Sequence, residues 1–189
     1  APSVLSQNWE RFKSGDEIPT ERFIQIRIEA EIAFCMKGSL AGEVTREEVL
    51  QATDYVFPSL EILDTRIFRK DENTGKMRTV FDTISDNAAN AGVISGVQKN
   101  DPQKFDLRRV GSIVMRNNEV EETGLGAGVL NDPITGIIWL VKRLSEYNQK
   151  ISPGEIILSG SFIRPIEARK GDEFYADFGD FGFVECKFN

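Results

Sequence analysis

IQIRIEAEIAF, residues 24–34, decides the fold. Apolar and polar residues alternate along it. A β-strand would therefore line up Ile24, Ile26, Ile28, Ala30, Ile32 and Phe34 on one face and Gln25, Arg27, Glu29, Glu31 and Ala33 on the other. The first face suits a core. The second aims two carboxylates at one spot. A wet strand face on which Arg27 pairs with a glutamate accounts for that without chemistry, and a bound cation accounts for it with chemistry.

Outward from this strand, GSLAGEVTREEV reads as a loop entering a helix. Thr45 is its N-cap, Glu48 completes a capping box, and the helix ends near Ala52. YVFPSLEILDTRIF follows as a second extended segment, its pairing limited by Pro58, and RKDENTGKMR is a charged loop. FDTISDNAANAGVISG turns small and apolar, and its Ala88, Ala89, Ala91 and Gly92 suit a short helix packed closely on a neighbour. LRRVGSIVMRNNEVEETG is a hairpin around Asn117-Asn118. In NDPITGIIWLVKRLSEYNQ, Asp132 caps a helix that starts at Pro133, with an apolar stripe of Ile134, Ile137, Ile138, Val141 and Leu144. ISPGEIILSGSFI is a turn and a buried strand, and the tail from Pro165 alternates strands with glycine turns. Many short strands with few helices, not arranged as βαβ units, predict the α+β class. Residues 1–17 read as an irregular segment and 18–189 as one domain.

A net charge of −7 and scattered lysines and arginines argue against a nucleic-acid or anionic-membrane surface. No apolar run is long enough to span a bilayer, and APSVLSQNWERFKSGDE has no apolar core of a signal peptide, so a cytoplasmic location is expected. Cys35 and Cys186 show no metal spacing and read as free thiols. The chain has no histidine. That removes Ser-His-Asp and Cys-His catalysis and every His-ligated metal site, leaving oxygen ligands and hard cations such as magnesium, manganese or calcium.

Glu29 and Glu31 are the first candidate ligands, and a third acid from PSLEILDTR, Glu61 or Asp64, could lie beside them. GLGAG, residues 124–128, fits no phosphate-loop spacing and reads as a tight structural turn. LSGSF, residues 158–162, offers hydroxyls and backbone N–H groups suited to a carboxylate. Trp9 reads as a surface or packing aromatic and Trp139 as a helix-core residue.

RIEAEIAF, ATDYVFPSLEILDTR, FDTISDNAANAGV, EETGLGAGVLNDP, ILSGSFIRPIEARKGD and the glycine-rich tail together resemble the fumarylacetoacetate hydrolase superfamily, in its hydratase and decarboxylase branch. The resemblance runs from about Ile18 to the C-terminus. It implies a mixed β-roll or barrel with flanking helices, and a divalent ion, Mg²⁺ or Mn²⁺, held by Glu29, Glu31 and Glu61. It also implies Ser161 near a substrate's 2-oxo-carboxylate. Arg164, in SFIRP, is then the candidate for a second, distal carboxylate. The implied reaction is hydration of 2-oxo-hept-4-ene-1,7-dioate to 4-hydroxy-2-oxoheptanedioate, in the homoprotocatechuate route of aromatic catabolism. The expected partners are a small 2-oxo dicarboxylate, further copies of the chain in a homo-oligomer, and other enzymes of the pathway.

The chain departs from the branch at its start. Family hydratases carry an upstream lysine in a His-Lys-Ile-Gly-like motif, taken as a catalytic acid/base, and then a PDYG-like segment. Neither is present: SQNWERFKSGD stands there, Lys13 lies in no such motif, and Ile26 replaces the proline before Arg27. The catalytic acid/base is therefore unassigned. A truncated enzyme, a short form with another acid/base, and a metal-binding partner subunit are the three expectations, beside a 2-oxo-acid decarboxylase or acylpyruvate-type hydrolase using the same metal.

Overall fold

A computed structural model of the chain describes residues 3–4 and 10–189, so Trp9 lies outside the described residues. In chain order the elements are β1 (Ser3–Val4), β2 (Glu10–Lys13), β3 (Glu17–Ile18), β4 (Ile26–Met36), α1 (Arg46–Ala52), β5 (Thr53–Asp64), α2 (Val80–Ser85) and β6 (Asn90–Ser95). There follow β7 (Gly111–Arg116), β8 (Glu119–Leu125), α3 (Pro133–Ser145), β9 (Ile156–Leu158), β10 (Ile166–Glu167), β11 (Glu173–Asp177) and β12 (Phe183–Phe188). One sheet runs β1-β9-β4-β5-β6-β2, with β10 also on β4, and a second runs β3-β12-β11-β7-β8. The β2–β6 and β12–β3 pairs are parallel and the rest antiparallel, so both sheets are mixed. Each sheet keeps open edges among the described residues, which makes the α+β arrangement a roll rather than a closed barrel.

The alternating strand forms as its pattern dictates. Ile28 pairs with Ile62, Ala30 with Leu60, Ile32 with Pro58 and Phe34 with Val56. Apart from Pro58, these side chains are buried in one core with Val114 of β7, Phe174 and Ala176 of β11, Val184 and Phe188 of β12, and Val49, Ile134, Ile137 and Val141 of the helices. Pro58 costs β5 little. Val56, two residues earlier, sends its N–H to Asn100 on the β6 side, and the ladder to β6 begins only at Ser59. The missing donor thus falls where β6 has already ended.

Both long-range helices start at their expected caps. Thr45 and Glu48 form the capping box of α1, and the Asp132 carboxylate accepts from the Ile134 N–H at 3.0 Å. Asn117 and Asn118 both take left-handed φ, as a two-residue hairpin turn requires. The two thiols are free, Cys186 in the core and Cys35 half-buried. No helix among the described residues is long and apolar enough to cross a membrane.

Four expectations fail in informative ways. Ile24 precedes the strand and is exposed, because β4 begins only at Ile26. Trp139 lies off the buried stripe of α3 and is 54% exposed, not a core residue. The small-residue run does not make a packed helix. Its polar half forms α2, which buries no side chain, and Asn90–Ser95 becomes a strand between β5 and β2. The predicted irregular N-terminal stretch contains β2, parallel to β6, and β3, parallel to β12. Neither short strand alternates strongly enough to announce itself; each is made by its neighbour.

GLGAG is the structural turn its spacing suggested. A Cβ on Gly126 would lie 2.1 Å from the Leu107 carbonyl oxygen, which is backbone and cannot step aside. Gly126→Ala is therefore expected to destabilise the protein by about 1–3 kcal/mol or more, read as a fall in the urea midpoint. An unchanged midpoint would show that the Leu107 turn can yield.

Candidate metal centre

Sheet register assembles the site. Glu29 and Glu31 share the face of β4 opposite the core, and Glu61 stands directly across from Glu29 on β5. Carboxylate oxygens of all three lie within 4.8 Å of one another. Asp64 is excluded by parity, since three residues along a strand reverses the face. It pairs with Ile26 instead, and its carboxylate accepts from the Ile24 and Gln25 N–H groups at 2.8 and 2.7 Å. Of the two readings of the pair, the one in which Arg27 neutralises a glutamate finds no support: among the described residues no salt bridge reaches any of the three acids.

Glu31 and Glu61 are buried and Glu29 is half-buried. Burial first, and then the charge of Glu61, pushes the Glu29 carboxyl up to about 7. Glu31 is held well above the ordinary range by burial, with Glu61 and Glu29 adding to it against the pull of the Gly160 N–H. Burial raises Glu61 as well, against hydrogen bonds that favour its charged form, the Asn90 amide among them. Three neighbouring carboxyls pushed towards protonation, by burial above all, make a place that suits a cation.

The LSGSF segment reaches this site, though not quite as expected. Its Gly160 N–H donates to Glu31 at 2.7 Å, so the carboxylate it serves is the protein's own. Gly160 has φ +105°, a conformation that an L side chain rarely adopts. Ser161 is tied into the backbone beside the triad, with its hydroxyl oxygen 2.9 Å from the Ile163 carbonyl and 3.4 Å from that of Ala30. Arg164 is not brought to the acids by any contact among the described residues. Its guanidinium pairs with Glu122 at 2.9 Å, on a side chain that is 87% exposed.

Sequence reasoning missed Asn90, whose side-chain amide donates to Glu61 from within the buried site. Nothing in its local sequence marks it, because its placement depends on an irregular register.

No family model matches the chain. The chain is 49% identical over 178 residues to the 2-oxo-hept-4-ene-1,7-dioate hydratase of Escherichia coli, covering 94% of this chain and 67% of that protein. It belongs to the hydratase and decarboxylase branch of the fumarylacetoacetate hydrolase superfamily. It is also 35% identical over 178 residues to a 2-keto-4-pentenoate hydratase of Paraburkholderia xenovorans LB400, covering 94% of this chain and 64% of that one. Among solved structures, 4-oxalocrotonate decarboxylase of Pseudomonas putida G7, complexed with magnesium and adipate, superposes with a TM-score of 0.86 at 29% identity, over 95% of this chain and 66% of that one. The chain thus spans about two thirds of the length of the relatives it matches.

As a member of this branch, the chain presents a donor set that fits a hard divalent ion: three carboxylates, no nitrogen ligand, and no cationic side chain in contact among the described residues. A carboxyl raised on folding adds stability that is complete below its ordinary value near 4.5 and is lost as pH rises through the folded value, about 7 for Glu29. In chelator, Glu29→Gln is expected to gain thermal stability relative to wild type as pH rises from about 5 to 8. Melting curves of the two proteins across that range check it, and a constant difference would sink this account of the triad.

Proposed function

We propose that this chain carries the metal site of a hydratase that adds water to 2-oxo-hept-4-ene-1,7-dioate, giving 4-hydroxy-2-oxoheptanedioate. The carrying observation is the carboxylate triad in a chain 49% identical to a hydratase of that name. Glu29, Glu31 and Glu61 would hold Mg²⁺ or Mn²⁺. When bound, such an ion supplies Lewis-acid polarisation to a chelated 2-oxo acid.

The chain's own groups prepare the rest. The Gly160 N–H fixes the Glu31 carboxylate, so that ligand loses little freedom on binding. Ser161, held against the β4 backbone at Ala30, is the candidate contact for the 2-oxo-carboxylate. Arg164 offers the distal carboxylate an exposed guanidinium whose present partner, Glu122, it holds by a solvent-facing ion pair. Such pairs are weak, so a substrate carboxylate can compete for it. Hydration also needs a proton to be moved and a hydroxyl delivered to C4, and the group that does so is unassigned.

The same triad would suit a decarboxylase, a second possibility favoured by the fold likeness to 4-oxalocrotonate decarboxylase. The proposal extends to a cytoplasmic homo-oligomer acting in the homoprotocatechuate route beside other enzymes of that pathway.

Incubation with Mg²⁺ and the 2-hydroxydienoate tautomer of the substrate, followed by loss of ultraviolet absorbance, tests the proposal. Turnover should stop in EDTA and fall by about two orders of magnitude or more in Glu29→Gln. Release of carbon dioxide would favour the decarboxylase, and turnover indifferent to EDTA would exclude both.

A further inference from the structure

Asn90 reaches Glu61 through a break in sheet register. Glu61 pairs with Val93 and Ile62 with Gly92, but Leu63 pairs with Asn90, so Ala91 is skipped as a bulge. In a regular ladder Ala91 would stand opposite Leu63 and Asn90 would point to the core face. The extra residue turns Asn90 onto the face that carries Glu61. There it is 4% exposed, and its Nδ2 donates to Glu61 Oε1. The amide oxygen is buried with no partner, so the side chain's single anchor is that carboxylate. The reversed amide would set oxygen against oxygen, which fixes its orientation.

The backbone from Asp86 to Asn90 is clamped at both ends by Arg66. Arg66, two residues past the end of β5, gives its Nε to the Asp86 carboxylate at 2.6 Å and its backbone N–H to the same group at 3.0 Å. Its terminal nitrogens donate to the carbonyls of Asp86 at 2.7 Å and of Asn90 at 3.2 Å. Between these anchors, Asn87, Ala88 and Ala89 take φ of 52°, 55° and 65°, three successive left-handed residues without a glycine. Such conformations cost free energy and persist only when their surroundings impose them.

We propose that Asn90 is a positioning residue for Glu61, turned to the carboxylate face by the bulge at Ala91 and locked there by Arg66 and Asp86. The inference rests on Glu29, Glu31 and Glu61 being metal ligands. A single N–H on Glu61 leaves its other oxygen for the ion and sets the angle at which that oxygen is presented. The donor also favours the ionised ligand, the form that binds metal.

Calorimetric titration of the chelator-treated protein with Mn²⁺ tests this without reference to turnover. Asn90→Leu, which keeps the volume and removes the donor, should weaken Mn²⁺ binding by about 10–100-fold while the metal-free protein stays folded by circular dichroism. Arg66→Lys, which breaks the clamp but leaves Asn90, should weaken it in the same direction by less. If Asn90→Leu does not fold, Asn90→Ser, with a donor too short to span the gap, should show the same loss. Wild-type affinity in the folded Asn90 variant, with or without a lower melting temperature, would overturn the inference while Glu61→Gln still abolished binding. Undiminished Mn²⁺ binding by Glu61→Gln would instead remove the metal centre, and the inference with it.

Discussion

Glu29 and Glu61 stand directly opposite one another in an antiparallel pair, a position where like charges repel, and Glu31 adds a third carboxylate on the same face. At separations within 4.8 Å, each ionised pair costs about 3–4 kcal/mol at an effective dielectric constant near 20. Three such pairs would consume most of the roughly 5–15 kcal/mol by which a domain is stable. The acids must therefore share protons or a cation. Everything around them either enforces their proximity or softens its cost.

The enforcement comes from the other side of the sheet. Ile28 and Ile32 of β4 and Leu60 and Ile62 of β5 fix the register, since a slip of one residue would turn one strand's pair out of the core. Each of those side chains contributes on the order of 1.5–3 kcal/mol when fully buried. Together they contribute about 6–12 kcal/mol, the same order as the repulsion, so the carboxylates are held in register by residues that never touch them. The same face carries a smaller apolar cluster of Ala33, Phe57, Val93 and Leu158. Strands buried on both faces here leave no water to solvate Glu31, which is why its carboxyl is raised well above the ordinary range.

The strand, its core face and the pairing of Glu29 with Glu31 were legible because period-two alternation is written in consecutive residues. So were the caps of α1 and α3 and the turn at Asn117-Asn118, each a local pattern with a local cause. The choice between Glu61 and Asp64 was not, since it needs the register between two strands; the family resemblance made it, and face parity explains it. Trp139 was misjudged because an apolar residue inside an amphipathic helix was assigned to the stripe it only adjoins. The strand at Asn90–Ser95 was hidden by small residues that suit close packing in either secondary structure. Asn90 was the least legible of all, since a bulge erases the periodicity from which its face would be read.

The irregular backbone of the site has a common outcome. Gly160, in a left-handed conformation, turns its N–H onto Glu31, and the bulge at Ala91 turns an amide onto Glu61. A regular strand could not supply the Gly160 donor, because its backbone N–H groups lie in the plane of the sheet and are spent on neighbouring strands. Glu29 accepts from no N–H among the described residues and is the least buried of the three. Two carboxylates are thus fixed by the fold and one is left free to adjust. If the three hold an ion as proposed, Glu31 and Glu61 would offer it oxygens already in place and Glu29 would adjust to complete the set.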